Sequence, residues 1–109
     1  MDMPAFPFDV VDWSDVEPEN HPGETGFATW RVRKFGAIRV RQVEYSPGYR
    51  ADHWCSKGHV LYVLDGQLGT ELKDGRRFSL LPGQSYQVGD DADAHLSSTG
   101  IGAKLFIVD

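Results

Sequence analysis

Four side chains in this sequence are of types that bind metals and stand at spacings that strands can bring together. His53, Cys55 and His59 form a His-x-Cys-x3-His string, and His95 follows later in the chain. Imidazole nitrogen and thiolate sulfur are the usual ligands for zinc and for other borderline or soft divalent ions. In an extended chain, residues two apart project to one side. His53 and Cys55 are therefore expected to project together, and His59, opening the next strand, can face the same interior. The Cys–His spacing also admits a nucleophile–base pair. Tyr49, Trp54, Tyr62 and Tyr86 are candidates to line or cap a pocket. His21 sits in a Glu-Asn-His-Pro-Gly loop and is assigned no site role.

The elements that must position these residues read as strands. From Phe27 onward the hydrophobic period is two. Strands are expected over 28–32, 37–45, 59–64, 67–72, 77–81, 85–88, 95–98 and 103–108, with a short extended piece at 52–55. Asp65-Gly66 and Asp74-Gly75 read as hairpin turns. Turn residues recur every 8–12 residues, the pattern of a sandwich or barrel. Residues 1–26 contain four prolines and read as an extended arm, with one turn near Trp13–Glu17 that Ser14 could cap. Phe6, Phe8, Val10 and Trp13 make this arm too apolar to be free, so it is expected to dock on the barrel or on a partner subunit. The barrel itself is assigned to 27–109.

Composition excludes several function classes. The chain has 109 residues, enough for one domain with its own core. The net charge of -5 argues against sequence-independent nucleic-acid binding, which needs a basic footprint. The longest apolar run, Val60–Leu64, is too short to span a bilayer as a helix. No secretory signal is visible at Met-Asp-Met-Pro. A single cysteine fits a reducing, cytoplasmic compartment. Gly-x-Gly-x-x-Gly, Walker A and Gly-x-Ser-x-Gly strings do not occur. Charge is unevenly placed. Residues 1–26 carry seven acids and no Lys or Arg, whereas 27–50 carry six bases and one acid. Arg39 and Arg41 share a strand face, which reads as a solvated surface or, alternatively, as the face that the acidic arm meets.

The segment from Pro47 through Gly66, with the hairpins after it, resembles the first motif of the cupin superfamily. That motif runs Gly-x5-His-x-His-x(3–4)-Glu-x6-Gly. His53 takes the first histidine, Cys55 stands at the second, and His59 stands at the glutamate, six residues before Gly66. Gly83, the Gly89-Asp90-Asp91 loop and His95 resemble the second motif. The string Asp52-His53-Trp54-Cys55-Ser56-Lys57-Gly58-His59 resembles the small DHCW-motif cupins. The resemblance implies an all-β, antiparallel jelly-roll barrel, commonly dimeric, with a metal held near one mouth of the barrel. For this chain the implied shell is one divalent ion on His53, Cys55, His59 and His95. A thiolate with imidazoles favours zinc, nickel or iron over manganese or magnesium. Four protein ligands would close a tetrahedral zinc, so catalysis requires one of Cys55 or His59 to be loose, or a larger coordination number.

The expected function is a small metal-binding cupin with a small-molecule pocket, carrying out oxygenation, isomerisation or hydrolysis. The alternatives are a ligand-binding or redox-sensing barrel using Cys55, and a metal-free structural barrel. Strand parity puts His59, Leu61 and Val63 inside, and Val60, Tyr62 and Leu64 outside. It likewise puts Ala103, Leu105 and Ile107 inside, with Phe106 and Val108 outside. An apolar outer surface of that size predicts a homodimer.

Overall fold

Alternation of apolar and polar residues becomes nine antiparallel strands in the computed structural model, which describes residues 3–109. Met1 and Asp2 of the expected arm lie outside the described residues. The strands are β1 (Glu19–Pro22), β2 (Phe27–Phe35), β3 (Ile38–Tyr45), β4 (His59–Gly66), β5 (Leu68–Leu72), β6 (Arg77–Leu80), β7 (Ser85–Val88), β8 (His95–Ser98) and β9 (Ala103–Val108). One sheet has the order β1-β2-β3-β9-β4-β7 and the other β6-β5-β8. The two sheets face each other and enclose the core, the jelly-roll arrangement expected from the sequence.

Parity decides what lies inside. On β4, His59, Leu61 and Val63 are buried while Val60, Tyr62 and Leu64 are exposed. On β9, Ala103, Leu105 and Ile107 are buried. Leu61, Leu68, Leu105, Val43 and Val63 are fully buried, each contributing roughly 1.5–3 kcal/mol on removal from water. Register then aligns inward side chains in rungs across the large sheet. Arg41, Ile107, Leu61 and Tyr86 are successive partners on β3, β9, β4 and β7. One rung nearer the mouth, Arg39 exchanges backbone hydrogen bonds with Asp109, and His59 pairs with Val88. On the small sheet Thr70 pairs with Ser97, and Leu72 with His95.

Several local expectations are corrected. Asp65-Gly66 is not a hairpin turn. β4 and β5 belong to different sheets, and the ladder to β9 shifts register at Val63/Asp65. This bulge re-aims the chain from one sheet to the other, and Gly66 passes against the Gly102 carbonyl with φ of 77°. Asp74-Gly75 does close the β5–β6 hairpin, with Leu72 N–H donating to the Arg76 carbonyl at 2.8 Å. The turn at Trp13–Asp15 is a 3-10 turn capped by Asp12, whose carboxylate accepts from the Ser14 backbone N–H at 3.0 Å and from the Ser14 hydroxyl at 2.6 Å. Ser14 is thus a donor here. Strand β1 lies within the expected arm and adds an edge to β2.

Along the rest of the arm, Trp13 packs edge-on to Phe106 with ring centroids 6.1 Å apart, and Phe6 lies 5.3 Å from Phe35. Arg31 donates to the carbonyls of Trp13 and Val16. Of the basic strand, Arg39 feels Glu19 of the arm at a distance but pairs with Asp109. Arg41 points into the barrel, because its parity is that of buried Val43 and Tyr45.

Candidate functional site

His59 and His95 reach the interior from opposite sheets. Their rings meet edge to face with centroids 4.8 Å apart. His59 opens β4 on its inward parity, and its Nε2 lies 2.7 Å from the Tyr86 hydroxyl. Nδ1 of the same ring is buried without a partner. Burial, reinforced by the charges of His95 and Arg41, lowers the pKa of His59 to about 4, so the ring is neutral at neutral pH. Burial also pushes the Tyr86 hydroxyl above its ordinary range, which keeps it a proton donor. His95 opens β8. Its Nδ1 lies 2.9 Å from the Asp93 carbonyl oxygen, which only a donor can satisfy. In the neutral ring the Nε2 lone pair is then left facing the barrel, buried and without a partner.

Cys55 lies directly opposite His95. The two residues exchange both backbone hydrogen bonds, at 2.8 and 2.9 Å. Side chains of such a pair share a face. This single bridge is all that remains of the strand expected at 52–55. The chain bends at Asp52 and His53, so the alternate-side rule that joined His53 to Cys55 does not operate. The His53 side chain is 78% exposed and its Nδ1 pairs with Asp52 at 2.6 Å. His53 therefore stands apart from His59 and His95, and the expected four-ligand shell is not assembled.

Among the described residues, no three His, Cys, Asp or Glu side chains converge closely enough to hold a metal ion. The donor set fits two imidazole nitrogens, His59 Nδ1 and His95 Nε2, and not the shell implied by the sequence.

Tyr86 and His95 line a cavity of about 240 Å³ with Thr70, Leu72, Phe78 and Leu80. On the other side of β7, His59 lines a cleft of about 590 Å³ at the barrel mouth with Lys57, Gly58, Val88, Asp90 and Asp109. The other expected pocket residues stand elsewhere. Tyr49 stacks on Tyr45 at 4.2 Å and packs against the core, and burial pushes its pKa up to about 12. The Trp54 ring carries Lys73 at 5.0 Å. Neither lines the cavity or the cleft, because each ring is taken up by a neighbour. Tyr62 points outward.

Three interior residues escaped the sequence reading. They are Arg41, Thr70 and Asp109. Each shares the parity of buried neighbours: Val43 and Tyr45, Leu68, and Leu105 and Ile107. That shared parity was the available signal. Among the described residues, the buried side-chain N and O atoms without partners are Arg41 Nε, His59 Nδ1, Thr70 Oγ1 and His95 Nε2. All four belong to inward-facing residues. Such atoms cost roughly 1–3 kcal/mol each when left unpaired; His59 and His95 are in ring contact, and Thr70 shares a cavity with His95.

No protein-family model matches the sequence, and no curated protein matches it. Solved structures do. A predicted oxalate decarboxylase from Thermotoga maritima aligns at 15% identity over 92% of this chain and 96% of that one, with a TM-score of 0.77. An RmlC-like cupin from Shewanella frigidimarina aligns at 18% identity over 95% and 87%, with a TM-score of 0.73. The polyketide cyclase RemF from Streptomyces resistomycificus aligns at 25% identity over 93% and 78%, with a TM-score of 0.73. The strand order, the two facing sheets and these alignments agree: the chain has the same jelly-roll fold as these cupin structures.

Proposed function

We propose that this cupin binds a small molecule inside the barrel, between His59, Tyr86 and His95, and that the chemistry the site is equipped for is proton transfer, as in an isomerisation. The observation that carries the reading is the group of unpartnered buried atoms on the inward faces. His95 Nε2 is an acceptor placed to take a proton. The protonated Tyr86 hydroxyl, held by His59 at 2.7 Å, is a donor able to stabilise charge developing on a ligand oxygen. Most of the cavity surface is apolar, with Arg76, Gln87 and Asp93 also on its wall, which suits a ligand with a carbon frame and a few polar groups. That structures of similar fold bear the names of a predicted oxalate decarboxylase and a polyketide cyclase supports a small-molecule role.

A divalent metal is the second reading. It is favoured by the Asp93 carbonyl, which accepts from His95 Nδ1 and fixes the ring in the way that metal-binding imidazoles are commonly held. His59 and His95 would hold the ion, with Cys55 the nearest further donor by strand pairing. Bound there, it would supply Lewis acidity.

The experiment is a two-dimensional NMR titration with small carbonyl compounds, run on protein of measured metal content. The proposal expects shifts centred on His59, Tyr86 and His95, and their loss in His95→Gln. It further expects loss of the ligand's acidic C–H signal in D2O with wild type and not with Tyr86→Phe. Shifts confined to the outer surface would overturn it. Stoichiometric metal that is lost in both His59→Gln and His95→Gln would establish the second reading instead.

The outer strip of Val60, Tyr62 and Leu64 remains exposed although the arm covers Phe106. We propose that a second copy of the chain covers it, giving a homodimer. No helix among the described residues is long and apolar enough to cross a membrane.

A further inference from the structure

One guanidinium buried in the barrel is only partly paired. Arg39 and Arg41 both face inward from β3, and both lean on one carboxylate, Asp109. Arg39 takes both Asp109 oxygens through Nε and Nη2, each at 2.9 Å. Arg41 reaches one of them through Nη2 alone, at 3.2 Å. The Asp109 side chain is 1% exposed and that of Arg41 7%. Arg41 Nε–H is buried and has no acceptor. The guanidinium lies 4.4 Å from the Trp30 ring centroid. An indole face attracts a cation but offers no acceptor in the plane of the fork. Arg39 is a quarter exposed and also feels Glu19, so the buried guanidinium that lacks a full set of acceptors is that of Arg41, where incomplete pairing is costly.

Arg41 stands on the inward rung Arg41–Ile107–Leu61–Tyr86, three strands from Tyr86 and outside the lining of the Tyr86–His95 cavity, and its charge acts on both His59 and Tyr86. Its partner Asp109 lines the mouth cleft together with His59 and Lys57. A guanidinium edge with a free N–H matches a planar carboxylate.

We infer that the small molecule received in the barrel is a carboxylate, and that Arg41 is the residue that anchors it. This deepens the small-molecule reading above and rests on it.

Benzoate and benzamide form a matched pair of probes, planar and nearly isosteric but differing in charge. Both are titrated into the full chain, with binding read from the NMR signals of His59, Tyr86 and His95. The expected result is that benzoate binds at least about tenfold more tightly than benzamide, as a charge-assisted hydrogen bond implies. Arg41→Lys keeps a positive charge and loses the fork. It is expected to lower benzoate affinity severalfold and leave benzamide unchanged. The wild-type comparison stands even if that variant folds poorly. Equal affinity for the two probes overturns the carboxylate inference while leaving the binding site in place. Failure of both probes to move any of the three residues overturns the site itself, and the inference with it.

Discussion

Replacing His59 with Gln should flatten the acid limb of this protein's stability curve. The His59 ring is buried against His95, with the positive charges of Arg41 and Arg39 also acting on it and only Asp109 opposing them. Its pKa in the folded chain falls from the ordinary 6.5 to about 4. Between these values the unfolded chain binds a proton that the folded chain refuses. Stability therefore falls as pH drops through about 6.5, and the loss attributable to His59 is complete below about 4. At about 1.4 kcal/mol per pKa unit, the loss is about 3 kcal/mol at most. Gln removes the titrating group and keeps an amide near the Tyr86 hydroxyl. Urea unfolding at pH values from about 7 down to about 4 gives the free energy of each protein. Wild type is expected to lose about 2–3 kcal/mol more than His59→Gln across that range. Parallel curves for the two proteins would refute the reasoning, because they would mean that the folded ring protonates as freely as the unfolded one.

Asp109→Asn should cost about 3 kcal/mol in urea unfolding, since it removes the carboxylate shared by two guanidinium groups on adjacent rungs; a cost below about 1 kcal/mol would show that Arg39 and Arg41 find solvent or other partners. Gly66→Ala should destabilise by at least about 2 kcal/mol, because the new Cβ would overlap the Gly102 carbonyl at a positive φ. Wild-type behaviour of that variant would mean that the crossing between sheets can relax. Sedimentation at micromolar concentration should find a dimer, and Tyr62→Glu should convert it to monomer without a loss of folding. A wild-type monomer would leave the outer strip of β4 uncovered and remove the dimer from the account.

Parity made most of the barrel legible. The inward sets on β4 and β9 were readable because one-sided burial imposes a strict two-residue period there. The same rule was misapplied to β3. Arg39 and Arg41 were given a solvent face because they are charged, yet Val43 and Tyr45 share their parity and are buried. A side-chain type outweighed a period, and the pairing with Asp109 that makes this burial tolerable lies far along the chain. Strand β1 was missed for a related reason. Glu19–Pro22 carries no apolar alternation, and its edge position asks for none.

The site was legible in part. His59 and His95 were singled out and lie ring to ring, and Tyr86 was named and lines the cavity between the sheets. His53 was grouped with Cys55 on the assumption of an extended chain, and a bend of two residues is enough to send it outward. Asp65-Gly66 looked like a hairpin turn because its composition suits one. Which sheet the following strand joins is a tertiary fact that those two residues do not carry.

The central claim is that imidazoles with open nitrogens await a ligand inside the barrel. Long-range proton–nitrogen NMR of the histidine rings, recorded with and without benzoate, tests it most directly. The account predicts that His95 carries its hydrogen on Nδ1, held by the Asp93 carbonyl, and that its Nε2 signal and those of His59 move as benzoate is added. A hydrogen found on His95 Nε2, or imidazole signals indifferent to every small molecule that binds elsewhere on the protein, would contradict it.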